Sequence, residues 1–362
     1  MFTLRTDPYN CVVTGDSARL FGGAMLPLPP ALAALARLGH TPQQYAALRA
    51  IGLSEHNIDT LLDLRLLRFG RGEDDFPQSA RAFFEEQFPR NASARPLAHW
   101  CSMEAPAVVW IGLPLSNLMS IRHSTALGLA AVLDALPLEH DYFLAVLPYT
   151  APCVRMDEDI EAMVRVIAGA NGRMGWLGGD HRVAWAFLRA LKLCHPAGHV
   201  RYVHIDAHHD LYGVERGEDP PVIAHSNFLI SLLHNRQVDE AILIGCRDRQ
   251  APIHSAQEQG FDVTLLEEAA DYRSLGPHPE RHCHLSIDLD VLDPGVAASV
   301  TSPIPQGWTE HALKRAVTHL VESENFDSFS IVEVCQGCAE LARIAGDLIR
   351  ICTQGASRWP RV

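Results

Sequence analysis

The amino-acid sequence predicts an α/β protein whose main domain has three layers, αβα, around a parallel sheet of roughly eight strands. One observation and one physical rule carry this prediction. From about residue 100, apolar runs of strand length alternate with amphipathic helical patterns. Parallel strands are buried on both faces, so they are apolar throughout and are separated by the helices that cover them.

The predicted elements follow one another along the chain. Strands are expected at residues 108–113, 143–147, 175–177, 201–205, 241–244, 263–266, 284–290 and 329–334. Helices are expected at residues 157–167, 181–193, 227–234, 309–321 and 339–351, where apolar residues recur at helical spacing. We assign these elements to one domain over residues 96–362, with its functional residues at the carboxyl ends of the strands.

Residues 1–95 differ in texture and are predicted to form a small N-terminal α+β extension. Two short β-like stretches, 2–4 and 11–13, precede a Pro-rich break at 26–30, and apolar residues at helical spacing continue to residue 67. Short strands followed by short helices suggest a winged-helix-like module. A helical extension that packs on the main domain or on a neighbouring subunit fits the same pattern. Residues 71–97, polar with three prolines, are the predicted connector.

Composition excludes two classes of partner. The net charge of −13 argues against a nucleic-acid binder, which needs a basic face, and against electrostatic attachment to a membrane. The longest apolar run, 105–115, is far shorter than the roughly 20 residues of a membrane-spanning helix. The N-terminus lacks the pattern of a signal peptide, and nine cysteines then indicate reduced thiols, so we expect a cytoplasmic protein.

Polar residues with metal-binding chemistry follow or end four of the predicted strands. They are His181, Asp206, His208, Asp210, Asp288, Asp290 and Glu333. In an extended chain, residues two apart point to the same face. The side chains of Asp206, His208 and Asp210, which follow the 201–205 strand, should therefore converge, and so should those of Asp288 and Asp290. Carboxylates in an apolar strand are costly unless they are paired. Two divalent cations would balance the four aspartates.

The composition of this set indicates which metal it suits. Four aspartates and two histidines, with no thiolate, favour Mn²⁺ over Zn²⁺ and leave Fe²⁺, Co²⁺ and Ni²⁺ as alternatives. Two ions close together, bridged by carboxylates, would also acidify a water molecule and create hydroxide near neutral pH. We therefore predict two Mn²⁺ ions per subunit.

These motifs resemble those of the arginase/ureohydrolase family, which includes arginases, agmatinases, guanidino-acid hydrolases and formimidoylglutamases. The matching stretches are GGDH at 178–181, DAHHD at 206–210, SIDLDVLDP at 286–294 and VEV at 332–334. They occur in the family's order across residues 100–355. The first 95 residues have no counterpart in the ordinary family pattern.

The resemblance implies a role for each candidate residue. His181 and Asp210 would hold one Mn²⁺ ion, His208 and Asp290 the other, and Asp206 and Asp288 would bridge the pair, so that Asp210 also counts among the catalytic residues. Glu333 would pair with the substrate's guanidinium group and later with the tetrahedral intermediate. His225, in the AHSNF stretch at 224–228, would carry protons to the leaving amine.

The function implied is that of a manganese-dependent amidinohydrolase, a hydrolase of C–N bonds in linear amidines. A hydroxide that bridges the metal ions would attack a small cationic guanidino substrate and release urea and an amine. The fold implied is arginase-like, and family members are often trimers or hexamers, so a homo-oligomer is expected.

Departures from the family pattern leave the substrate open. Ser226 replaces a glycine, and the loops at 295–303 and 335–336 differ. One alternative is a peptide arginase that converts arginine to ornithine within an arginine-containing peptide bound by residues 1–95. Another is a formimidoylglutamase-type hydrolase, which would release formamide. The third is a non-catalytic, metal-stabilised interaction protein.

Overall fold

In a computed structural model, the chain divides into two compact units. The units are Met1–Pro89 with Ala151–Asp159, and Arg90–Thr150 with Ile160–Val362. The described residues are 3–6, 11–14, 17–20, 25–27, 67–70, 108–113, 129, 132, 143–146, 160, 161, 164, 173–217, 220, 223–274, 280–297, 300, 302–334 and 339–359.

The described part of the first unit contains two small antiparallel sheets. Its strands are β1 (Thr3–Thr6), β2 (Cys11–Thr14), β3 (Ser17–Leu20), β4 (Met25–Pro27) and β5 (Leu67–Gly70). β1 pairs with β5, while β2, β3 and β4 pair in sequence order. The β-like stretches at 2–4 and 11–13 therefore coincide with β1 and β2.

The helical pattern that was predicted to continue to Leu67 is wrong at its last residue. Leu67 begins β5 and pairs with Thr6, because the antiparallel ladder to β1 outweighs the local helical spacing of leucines. The rest of that helical pattern, the Pro-rich break beyond residue 27 and the whole of the predicted connector at 71–97 lie outside the described residues.

The second unit is built on a sheet of eight parallel strands. The strands are β6 (Val108–Gly112), β7 (Phe143–Val146), β8 (Arg173–Leu177), β9 (His199–Ile205), β10 (Glu240–Ile244), β11 (Val263–Leu266), β12 (Arg281–Asp288) and β13 (Ser328–Val332). Their order across the sheet is β11-β10-β9-β12-β13-β8-β6-β7. All eight predicted strands are confirmed, and every residue of β6, β8 and β13 is buried, as a sheet covered on both faces requires.

Helices complete the three-layer αβα arrangement. In the described part of the chain they are α1 (Arg182–Cys194), α2 (Phe228–His234), α3 (Ala251–Glu258), α4 (Glu310–Ser323) and α5 (Ala339–Ser357). Four of them were predicted, and α5 continues six residues beyond its predicted end at residue 351. Of the helix expected at 157–167, residues 160, 161 and 164 are described, and they are helical.

Helix α3 was not predicted from the sequence. It buries only Pro252, Ile253 and Ala256, so it has no continuous apolar stripe that a periodicity argument could detect. Among the described residues, no helix has the length and apolar character needed to cross a membrane.

An apolar core packs β12 and β13 against α4 and α5. Phe329 on β13 lies between Trp110 and Phe326, with ring centroids 6.2 and 6.1 Å away. Gly355 on α5 allows a close approach to α4, because a Cβ there would lie 2.5 Å from Cγ2 of Val321. This core supports the two central strands, whose carboxyl ends carry candidate site residues.

Candidate metal centre

The carboxyl ends of four neighbouring strands, β9, β12, β13 and β8, open into one cavity of about 290 Å³. Its lining residues are His181, Asp206, His208, Asp210, Tyr212, His225, Ser226, Asp288, Asp290, Ser302 and Glu333. The structure thus brings all eight residues that were selected from the sequence to one place.

The backbone that gathers these residues is not extended, contrary to the prediction. β9 ends at Ile205, and the following residues turn, with Asp210 at a φ of 53°. The backbone N–H of His208 donates to Oδ1 of Asp206 at 2.6 Å, which closes a tight turn. These side chains meet because the chain turns at the sheet edge, not because residues alternate along a strand.

The same correction applies to the end of β12. The strand was predicted to reach residue 290, but it ends at Asp288, and Leu289–Val291 form a 3₁₀ turn. Oδ1 of Asp288 caps this turn by accepting the N–H of Asp290 at 2.8 Å. Likewise β13 ends at Val332, two residues before the predicted end, and leaves Glu333 in the turn that follows.

One group of side chains centres on Nδ1 of His181. This nitrogen lies 3.2 Å from Oδ2 of Asp206, 3.3 Å from Oδ2 of Asp210 and 3.1 Å from Oδ2 of Asp288. All four residues are buried. Three carboxylates and one imidazole nitrogen directed at a common point are a donor set that suits a divalent cation.

A second group centres on Nδ1 of His208. This nitrogen lies 2.8 Å from Oδ2 of Asp290 and 3.4 Å from Oδ1 of Asp206. The two oxygens of Asp206 therefore face different histidines. Asp206 therefore lies between the two groups.

His204 is a third histidine beside this centre. Its Nε2 lies 2.6 Å from Oδ2 of Asp206 and 3.7 Å from Oδ2 of Asp210, and its side chain is fully buried. It precedes Asp206 by two residues, and this spacing is the sequence signal that places its side chain on the same side of the chain as that of Asp206. It was not among the predicted ligands.

The electrostatics of the centre favour a bound cation. Burial, followed by repulsion from Asp206, raises the pKa of Asp210 well above its usual range, and burial with repulsion from Asp290 does the same for Asp288. Burial also raises the pKa of Asp290 to about 6. For Asp206, burial is outweighed by His204 and the other histidines, which lower its pKa.

An orphaned oxygen supports the same conclusion. Oδ2 of Asp210 is buried and makes no hydrogen bond within the described ranges, although Nδ1 of His181 lies 3.3 Å away. A buried carboxylate oxygen without a partner is costly unless a cation supplies the missing charge. The residues present therefore fit a pair of divalent metal ions.

His225 lies at the side of the cavity with a buried carboxylate behind it. Its Nδ1 is 3.9 Å from Oδ2 of Asp180, whose other oxygen accepts from the backbone N–H and from Nε of Arg182, each at 2.9 Å. Burial lowers the pKa of His225, so the ring is neutral at pH 7. Asp180 was not among the predicted site residues, although it belongs to the same GGDH stretch as His181.

Glu333 is held by the turn between β8 and α1. Its backbone N–H donates to the carbonyl of Gly179 at 3.0 Å, and its Oε1 accepts the backbone N–H of His181 at 3.1 Å. Its φ of 59° lies in the left-handed region, which turns the side chain out of the strand direction. The result is a buried carboxylate in the wall of the cavity, next to the first histidine group.

The rim of the cavity carries neutral polar side chains. Tyr212 donates its hydroxyl proton to Oδ2 of Asp248 at 2.5 Å, and the guanidinium of Arg249 lies 5.8 Å from its ring centroid. Ser226 and Ser302 line the same opening. These contacts fix the Tyr212 ring as one wall of the entrance.

Known proteins share this sequence pattern and this fold. Residues 108–340 match the Arginase family. Agmatinase from Halalkalibacterium halodurans is 27% identical over 251 residues, which are 64% of this chain and 84% of that protein. N(1)-aminopropylagmatine ureohydrolase from Thermus thermophilus is 29% identical over 184 residues, 46% of this chain and 57% of that protein.

A solved structure shows the same fold. Formimidoylglutamase from Bacillus subtilis superposes with a TM-score of 0.58 at 19% identity, covering 72% of this chain and 89% of that one. The family match spans more than half of the chain and includes the residues of the cavity. The chain therefore belongs to the arginase family, whose members are hydrolases acting on C–N bonds in linear amidines.

Proposed function

We propose that this protein is a manganese-dependent amidinohydrolase that cleaves the guanidino group of a small cationic substrate and releases urea and an amine. The observation that carries the proposal is the cavity of about 290 Å³. Two histidine–carboxylate groups, a buried glutamate and a neutral histidine line it together. Together they would supply the metal ligands, the substrate-binding carboxylate and the proton carrier that the proposed hydrolysis uses.

The residues that would hold two Mn²⁺ ions are those of the two histidine groups. His181 with Asp210 would hold one ion, His208 with Asp290 the other, and Asp206 with Asp288 would bridge them. The oxygen-rich donor set without thiolates supports manganese. When bound, such a pair supplies a hydroxide nucleophile near neutral pH.

Glu333 would bind and orient the substrate. Its carboxylate is a charge-assisted partner for a guanidinium group, and burial strengthens that attraction. Because the N–H of His181 fixes Oε1, the carboxylate keeps one orientation before the substrate arrives. The central carbon of the guanidinium is thereby held against the metal-binding side chains.

His225 would move the proton that the reaction requires. During hydrolysis the oxygen of water bonds to the central carbon, the C–N bond to the substrate's alkyl nitrogen breaks, and that nitrogen gains a proton. A ring that is neutral at pH 7 can accept a proton and then deliver it to the leaving nitrogen. Asp180, 3.9 Å behind the ring, would stabilise the protonated form between these two events.

The substrate panel that tests the proposal consists of arginine, agmatine, guanidinobutyrate, guanidinopropionate and free guanidine. The names of the two relatives favour agmatine-like compounds. Urea release from at least one of them, with Mn²⁺ present, is the expected result. If none of these compounds is hydrolysed, the proposal is overturned. Release of formamide from formimidoylglutamate would instead identify the second candidate function, a formimidoylglutamase-type hydrolase, whose fold this chain shares.

The N-terminal residues 1–95 are proposed to be a separate module for peptide binding or for homo-oligomer formation. Deleting them tests the peptide-arginase alternative, since selective loss of activity on an arginine-containing peptide supports it and equal loss on free substrates contradicts it.

We also propose that the protein works in the cytoplasm, because the described Cys246, Cys283 and Cys352 form no disulfide.

A further inference from the structure

A row of polar side chains runs from the candidate metal centre into the core of the sheet. We define the Ser–His ladder as Ser286, Ser330, His284 and Ser328, all on β12 and β13. The strands pair so that His284 lies opposite Ser328 and Ser286 opposite Ser330. All four side chains are fully buried. Asp288 continues the β12 row, two residues after Ser286, into the cavity.

The ladder is joined by a continuous series of hydrogen bonds. Ser330 donates its hydroxyl proton to Oγ of Ser286 at 2.8 Å. Nε2 of His284 lies 3.0 Å from Oγ of Ser330, and Nδ1 of His284 lies 2.8 Å from Oγ of Ser328. Since Ser330 has given its only proton to Ser286, Nε2 of His284 must donate to Ser330, and Nδ1 then accepts from Ser328.

Both nitrogens of His284 are hydrogen-bonded within the ladder. Burying hydroxyl and imidazole groups between apolar strands is unfavourable unless every polar atom has a partner, and here both nitrogens of His284 have one. Burial lowers the pKa of His284 to about 3, so the ring is neutral. The ring stacks on Tyr202 with centroids 5.6 Å apart and an interplanar angle of 9°, and Phe187 covers it at 5.1 Å.

The upper end of the ladder meets His181. Nε2 of His181 lies 2.9 Å from Oγ of Ser286 and 3.2 Å from the hydroxyl of Tyr202, while Nδ1 faces the three carboxylates of the first histidine group. A histidine that binds a metal ion through Nδ1 must carry its proton on Nε2. Ser286 can accept that proton, and the 2.9 Å contact then holds the ring in the orientation that directs the Nδ1 lone pair at the carboxylates.

We propose that the Ser–His ladder is a positioning device for His181, which fixes its ring so that Nδ1 stays directed at a metal ion. The proposal rests on the proposed metal-dependent function, since it assumes that His181 is a ligand. Ser286 is the positioning residue in direct contact, and Ser330 and His284 act through it. None of the ladder residues lines the cavity, so their role does not include contact with substrate.

The test is Mn²⁺ binding in the full-length chain without substrate. Ser286→Ala removes the nearer of the two hydroxyl groups beside Nε2 of His181, and we expect one of the two Mn²⁺ ions to bind about 10- to 100-fold more weakly. The second ion, held by the His208 group, should keep its affinity. Equilibrium dialysis with metal analysis gives both Kd values, and electron paramagnetic resonance shows the loss of the spin-coupled Mn²⁺ pair at limiting metal.

Two further variants separate positioning from a general loss of stability. Ser330→Ala should weaken the same ion by a smaller factor, because it disturbs Ser286 indirectly. Ser231→Ala is the matched control, since Ser231 is a buried serine on α2 that accepts from Nε1 of Trp185 at 3.4 Å and has no contact with the ladder. It should leave both Kd values unchanged.

Three results overturn the proposal. The first is that Ser286→Ala binds both Mn²⁺ ions with the affinity of the wild type. The second is that the Ser231→Ala control binds Mn²⁺ as weakly as Ser286→Ala does. The third is that the wild-type chain binds no Mn²⁺, which would mean that His181 is not a metal ligand. A different result would overturn the proposed function, namely that the wild-type protein binds two Mn²⁺ ions but hydrolyses no guanidine.

Discussion

The backbone N–H of His181 donates a hydrogen bond of 3.1 Å to Oε1 of Glu333. This contact joins the turn after β8 to the turn after β13, and it couples a candidate metal ligand to the carboxylate proposed to bind the substrate. If both proposals hold, the substrate's guanidinium group and the metal ions would thereby be held at a fixed separation. Positioning of this kind lowers the barrier without new contacts in the transition state.

Replacing Glu333 by glutamine tests its charge separately from its position. Glu333→Gln keeps an oxygen that can accept the N–H of His181 but removes the negative charge, so we expect kcat/KM for the best guanidine to fall by about 100- to 1000-fold. Steady-state urea release measures this change. Mn²⁺ content, measured on the same preparation, should equal that of the wild type, and a loss of less than threefold in kcat/KM contradicts the role of Glu333.

Removing His225 tests proton transfer. His225→Asn should lower kcat by about 100- to 10,000-fold, the range typical of a lost general acid or base, with a smaller effect on KM. Asp180→Asn, which keeps the size of that side chain, should lower kcat less because Asp180 acts only through the ring. Equal kcat values for wild type and His225→Asn would show that another group carries the proton.

Tyr212 and Asp248 are predicted to set the substrate range. Tyr212→Phe removes the hydrogen bond to Asp248 but keeps the ring, whereas Tyr212→Ala removes a wall of the entrance. We expect Tyr212→Ala to raise KM for long-tailed guanidines by about tenfold, equal to about 1.4 kcal/mol, and to leave free guanidine unaffected. An equal change in KM for both substrates indicates that Tyr212 does not contact the tail.

His282 predicts a pH dependence of stability. Burial, then the neighbouring His195 and Lys192, lower its pKa to about 4. Because an unfolded histidine has a pKa near 6.5, the unfolded chain binds more protons between pH 6.5 and 4, and the stability present above pH 6.5 is lost as the pH falls. His282→Gln should remove about 2 kcal/mol of the loss between pH 7 and 4.5.

Urea unfolding in the presence of a chelator measures this difference without a contribution from bound metal. His254→Gln, an exposed histidine on α3, is the matched control and should unfold with the pH profile of the wild type. A wild-type profile in His282→Gln as well would mean that His282 does not remain neutral in the folded protein.

The fold of the second unit could be predicted from the sequence because each of its strands falls on a run rich in apolar residues. Strands β6 to β13 coincide with eight apolar runs. Prediction failed where tertiary contacts outweigh local pattern. Leu67 has helical spacing but pairs with Thr6, and α3 buries too few residues to show a stripe.

Eight of the eleven residues that line the cavity could be predicted, but the geometry that gathers them could not. The motif spacing selects Asp288 and Asp290, yet they meet through a 3₁₀ turn that Asp288 caps. The contact of Asp180 with His225 and the hydrogen bonds of the Ser–His ladder join residues far apart in the chain. Such contacts depend on strand order and register, which a single sequence does not specify.

Metal removal and return tests the central claim most directly. Urea release from the best guanidine should be lost when a chelator strips the protein, and it should return in proportion to added Mn²⁺ until two ions are bound per chain. Full urea release by protein verified to be free of metal would contradict the account.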